Sequence, residues 1–278
     1  MRLSSYSLTL PYVLAFLAFA TASCAAPLPP VEVDAAGVMP QEDYQPLAKV
    51  LAACVTGDGQ LNPTALKEQA DALELQLKIL AVAGPRSTPE LFGDDQKRLA
   101  YWLNARAAWT MKLIILCNCP REMDDPRAFR DRRFYLDGRY MTLCEIDQIL
   151  AADSDWRTVV VAPGVTYDRA ALPLEPFAAA GLRDAIARRF VDHVDDPRRF
   201  VIDIAAQTIY VSPVLWELRQ HIRDLYASTY GTRNVAFQTA LLPYVQGSAA
   251  RRVQDAIGYR VQPMRSPPWH VALTKWDF

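Results

Sequence analysis

Catalysis needs side chains that ionise or attack, and this chain gathers few of them. Beyond its first 26 residues it holds Cys54, Cys117, Cys119 and Cys144, and its histidines are His193, His221 and His270. Cys117-Asn118-Cys119 is too tight for a zinc knuckle, which needs at least two residues between thiolates and a second ligand pair. No Cys/His cluster follows it, so neither a metal nor a cofactor is implied. In an oxidising compartment four cysteines allow three pairings. A disulfide from Cys117 or Cys119 to Cys144 or Cys54 and a set of unpaired core cysteines both stay open. A catalytic thiolate needs a base beside it, and the three histidines read by default as solvated or core residues. Asp192, Asp195 and Asp196 around His193 read as a solvated turn before Pro197, and Ser212-Pro213 as a helix start. Glu145 and Asp147 are two apart and do not share a helix face. No nucleophile elbow, phosphate loop, HExxH or calcium-loop pattern is present.

The polar residues that remain of interest sit in or near one unusual segment, residues 98–116. Leu99, Trp102, Leu103, Trp109, Leu113 and Ile114 recur at helical spacing, and Tyr101, Ala105, Ala108, Met111 and Ile115 fill the other side. A helix apolar all round belongs at the centre of a domain, and this one would rise about 29 Å. Arg98, Asn104, Arg106 and Lys112 interrupt the run and argue against a membrane span. Asn104 and Lys112 lie near one face with Ala108 between them, which leaves room for another backbone to approach. They are the candidate ligand contacts. Weak catalytic candidates are Asp147 and Arg157, which with Asn104 would surround one cleft in a hydrolase with an atypical site.

Around that rod the sequence predicts smaller pieces. Residues 44–54 form a short amphipathic helix, and Thr56-Gly57-Asp58-Gly59 marks a turn. Asn62-Pro63 opens a longer helix that Gly84-Pro85 ends. Asp137-Gly138 joins a hairpin, and Thr142 with Glu145 forms a capping box. Residues 158–161 read as a buried strand, 163–176 as loop, and 178–194 as helix. Strands are expected at 199–204 and 208–212, helices at 214–230 and 235–245, and an extended return at 259–278. The fold class is α+β: a mostly helical single domain with a small antiparallel sheet around a central buried helix.

Apolar residues make up 51% of the chain, so a sizeable core can form. Thirty Lys+Arg against 31 Asp+Glu leave a net charge of -1, which argues against a nucleic-acid platform. Residues 1–26 read as a signal peptide: Arg2, an apolar run from Leu8 to Ala20, then Thr21-Ala22-Ser23-Cys24. Either Cys24 is acylated as in a bacterial lipoprotein, or an ordinary peptidase cuts near Ala25 or Ala26, or the anchor stays uncleaved. Residues 27–40 read as a Pro-rich tether, and 41–278 as the domain.

Residues 44–66 with their Gly-Asp-Gly turn, followed by LAYWLNARAAWTMKLI, resemble the opening of the domain-of-unknown-function 547 family. Its central helix reads aromatic-Trp-x-Asn-x-Tyr-Asn-x-x-Thr. Tyr101, Trp102, Asn104 and Thr110 match in register, while Arg106 and Ala107 replace the Tyr and second Asn. Thr142-Leu143-x-x-Ile146 resembles its next block, where Glu-His follows the Ile and this chain has Asp147-Gln148. Arg157 and the run 159–161 stand where the family has its Arg-x-His strand and later Cys, and Trp276 is similar to its terminal aromatic signature. The resemblance implies an α+β domain of unassigned activity whose usual Glu, His and Cys are missing here. The expectation is an exported domain, facing the periplasm as a lipoprotein or secreted, that is non-catalytic or catalytically degenerate. Its partner would be the membrane, through a lipid on Cys24, together with a protein or small-molecule ligand. The alternatives are the atypical hydrolase and a purely structural interaction domain.

Overall fold

From Leu99 to Ile114 every residue except Lys112 is buried, so the predicted rod is the axis of the molecule. The computed structural model describes residues 28–264 and 270–274. Cys24, the rest of the leader and Trp276 lie outside the described residues.

The rod is helix α4 (Asp95–Leu116), preceded by α1 (Gln45–Cys54), α2 (Pro63–Glu68) and α3 (Ala70–Val82). Asp94 caps α4 by accepting the Lys97 N–H at 2.7 Å. Asn118 and Cys119 end it with φ of 59° and 48°. The helix expected from Pro63 onward is broken at Gln69, although Asn62 caps it by accepting from Thr64 N and Ala65 N, as predicted. Within the core Trp109 stacks on Phe134 with centroids 4.2 Å apart. The Tyr101 hydroxyl donates to Leu80 O at 2.9 Å.

Next come α5 (Pro126–Asp131), β1 (Phe134–Leu136), β2 (Arg139–Met141), α6 (Leu143–Ala151) and α7 (Arg157–Val160). Asp137 and Gly138 turn the hairpin with φ of 51° and 72°, the doubly positive pair of a type I′ turn. The buried Asp137 carboxylate accepts from Arg86 N, Ser87 N and Ser87 Oγ, at 2.8 Å for both Ser87 donors. Gly84 must be glycine, since a Cβ there would meet Asp137 Oδ1 at 2.4 Å. Both halves of the Thr142–Glu145 capping box form. Residues 158–161, expected as a strand, instead lie in and just after α7. Asp155 accepts the Arg157 N–H at 3.0 Å and Asp153 takes the Thr158 hydroxyl at 2.5 Å. A short apolar run leaves helix and strand undecided; here it forms one helical turn that has no side-chain N-cap.

The chain ends with α8 (Leu182–Asp195), β3 (Phe200–Asp203), β4 (Thr208–Val211), α9 (Pro213–Tyr230), α10 (Phe237–Leu241), α11 (Gly247–Asp255) and β5 (Arg260–Pro263). The helix expected over 235–245 is α10 followed by one 3₁₀ turn at Leu242–Tyr244. β3 pairs antiparallel with β4, but β5 joins β4 in parallel, so this sheet is mixed. Its crossover runs through α9, α10 and α11, as a parallel connection requires. The whole is a mostly helical α+β domain.

Part of the expected tether is docked. Val31 donates to Arg133 O and accepts from Tyr135 N, and Val33 is buried in the core. The disulfide alternative is not realised, because Cys54, Cys117, Cys119 and Cys144 are all unpaired.

Candidate functional site

Two polar residues inside α4 do opposite things. Asn104 is fully buried and grips the main chain of Phe177, donating to its O at 2.9 Å and accepting from its N at 2.8 Å. The backbone anticipated beside Asn104 is therefore the protein's own loop. Arg106, also buried, reaches out to Asp147 on α6: Nε lies 2.6 Å from Oδ1 and Nη2 lies 3.3 Å from Oδ2. Its Nη1 donates to Pro163 O. Arg169 closes the other side, with Nη2 3.1 Å from Asp147 Oδ2 and Nε 3.6 Å from Asp168 Oδ2.

Asp147 is thus a carboxylate held in a double guanidinium clamp. Burial pushes its carboxyl up, but Arg106, then Arg169, with Arg130 further off, outweigh it and hold the group below the ordinary aspartate range. A void of about 20 Å³ beside the clamp is lined in part by Thr110 and Arg130, whose Oγ1 and Nε are buried without partners. In front of it opens a cleft of about 550 Å³ whose walls include Asp147, Gln148, Trp156, Arg169, Glu217 and His221.

The other candidates lie elsewhere. Arg157 turns back on Asp155, with Nη2 2.8 Å from Oδ2, and its guanidinium sits 5.4 Å from the Tyr244 ring centroid. Lys112 pairs with Glu74 at 2.7 Å on the half-exposed edge of α4. Asn104, Asp147 and Arg157 do not share one cleft: of the three, only Asp147 lines the 550 Å³ opening. Among the described residues no group of three or more His, Cys, Asp or Glu is placed to hold a metal ion.

The chemistry open to this arrangement is limited. A general base works best when its proton affinity is near the operating pH, whereas Asp147 is pinned in its charged form. Burial raises all four thiols above their ordinary value, Cys54 to about 11, and a nucleophilic cysteine needs the reverse. One imidazole–hydroxyl pair exists: His193 Nε2 lies 2.9 Å from Ser212 Oγ. Burial first, then Arg199 and Arg189, lower His193 to about 3. Its Nδ1 has no partner among the described residues, so no carboxylate there orients the ring as the acid of a catalytic triad does.

Sequence reasoning passed over both clamp arginines. Arg106 carried a signal, a charge inside a helix apolar all round, which demands a buried partner. Arg169 in its loop carried none.

No family model, no curated protein and no solved structure matches this chain. Tyr101 and Asn104 make buried hydrogen bonds to neighbouring main chain, at Leu80 and Phe177. Among the described residues no helix is long and apolar enough to cross a membrane.

Proposed function

We propose that this chain is an exported, lipid-anchored binding domain of the bacterial cell envelope, a divergent relative of the 547 family with no working proton-transfer centre. The observation that carries this reading is the clamp on Asp147. The position where the resemblance would put a titratable pair holds a carboxylate already neutralised by Arg106 and Arg169. A carboxylate so paired builds a rigid polar wall, and the cleft in front of it is concave and of ligand size. The leader with its Cys24 box supports the anchor.

The test is an activity screen of the full chain, purified in detergent, on peptide, ester and glycan panels. No turnover is expected. Hydrolysis lost in Glu217→Gln or His221→Ala, both exposed on the cleft rim, would refute the non-catalytic reading. Mass spectrometry of the mature N-terminus is expected to find an acylated Cys24, and an unmodified N-terminus at Ala25 or Ala26 would refute the anchor.

A further inference from the structure

A second concavity runs along α8, on residues that the Asp147 cleft does not use. Two adjoining clefts of about 470 and 660 Å³ share Leu174, Arg189 and Asp192. The turn at Gly57-Asp58-Gly59 forms part of one wall. Gly59, at φ +76°, lies so close to the loop opposite that a Cβ would sit 2.3 Å from Ala171 Cβ.

Most charges lining the first of the two clefts are already matched. Arg198 and Arg199 both bind Asp196, Arg198 reaches Asp58 at 3.4 Å, and Asp195 pairs with Arg252 at 3.1 Å. Arg189 is, with Asp192, an exception. Of its five N–H donors one, on Nη2, meets a protein acceptor, Ala171 O. Its Nε is buried with none, and its Cζ stands 5.6 Å from the Phe177 ring centroid. Among the described residues it has no ion pair. One turn on, His193 Nδ1 is buried in the same wall and also unpartnered. Asp192 acts on this half-buried guanidinium only without direct contact, so donors are left free, and an oxyanion is their natural complement. Three residues from Arg189, Asp192 is exposed to the groove and makes no ion pair with it, although i and i+3 are neighbours on a helix.

We propose that this groove binds a small zwitterion of the amino-acid type, its carboxylate on Arg189 and its ammonium on Asp192. Charge selects that class. Arg189, Arg198 and Arg199 face Asp58, Asp192, Asp195 and Asp196 across the first cleft, so a phosphate dianion would enter a field with no positive excess. A carboxylate carrying its own cation adds no net charge and satisfies both unpaired groups. Arginine's planar fork matches a carboxylate geometrically, whereas lysine offers a point charge. The inference is independent of the reading of the Asp147 cleft.

The experiment is calorimetric titration of the full chain with glycine, alanine, glutamine and phenylalanine, alongside N-acetylglycine, glycinamide and inorganic phosphate. Free amino acids are expected to bind at least about tenfold tighter than either capped form or phosphate. Arg189→Lys keeps the charge and is expected to weaken binding about tenfold or more. Asp192→Asn alters an exposed side chain and leaves the fold intact. It is expected to bring glycine and N-acetylglycine to within about twofold of each other. No heat from any free amino acid, phosphate binding as tightly as they do, or an unchanged preference for the free ammonium in Asp192→Asn would each overturn the proposal.

Discussion

Asparagine in place of Asp147 changes almost nothing in shape and removes the one charge that Arg106 and Arg169 share. Their side chains are 2% and 13% exposed, and that of Asp147 is 15% exposed. Breaking a buried pair by removing one partner costs about 3–5 kcal/mol, because a buried charge is left uncompensated. The asparagine carbonyl still accepts one hydrogen bond, so the lower end, about 3 kcal/mol, applies. At about 2–4 °C per kcal/mol for a domain of this size, the melting temperature should fall by about 6–12 °C. Urea denaturation at pH 7 with parallel calorimetry measures both. The sign with pH follows from the depressed carboxyl. Asp147 stabilises fully above the ordinary aspartate value of 3.8 and loses that contribution as pH falls through its lower folded value. The gap between wild type and Asp147→Asn should therefore close below about pH 3.8. A loss under about 1 kcal/mol, or a gap that persists into strong acid, would show that the clamp is not a buried ion pair and would remove the argument against Asp147 as a base.

Two further predictions concern stability. His193 is neutral when folded, its pKa lowered from 6.5 to about 3, so it favours the folded state fully above pH 6.5 and that advantage is lost as pH falls towards 3. His193→Gln should flatten the stability curve across that window, as followed by urea midpoints at stepped pH; an unchanged slope would contradict the burial of the ring. Asp137→Ala removes a buried acceptor of three donors from the 84–88 turn. It should lose about 3 kcal/mol, with amide exchange rising first at Arg86 and Ser87; exchange unchanged there would mean the turn stands without it.

Much of the framework was legible because its causes are local. The apolar pattern of residues 99–114 admits no exposed side, so α4 had to be interior. Asn62, Thr142 with Glu145, and Asp137-Gly138 each act within four residues of themselves, and all three did what their chemistry predicts. Residues 158–161 read as strand because Thr158 and three valines are too few to carry a period, and the polar groups that contact the observed helix, Asp153 and Asp155, lie outside the run. The parallel placement of β5 follows from a three-helix crossover that no local pattern announces.

What the sequence by itself determined is the buried rod, the caps at Asn62 and Thr142, and the Asp137-Gly138 turn. Tertiary structure alone decided what the polar residues do. Asn104 meets a main chain 73 positions away, Arg106 a carboxylate 41 positions away, and Arg189 feels Asp192 without a direct ion pair among the described residues. A side chain's polar partner is chosen by where the packed core leaves it, and electrostatic energy depends on distance in space, which chain order does not encode.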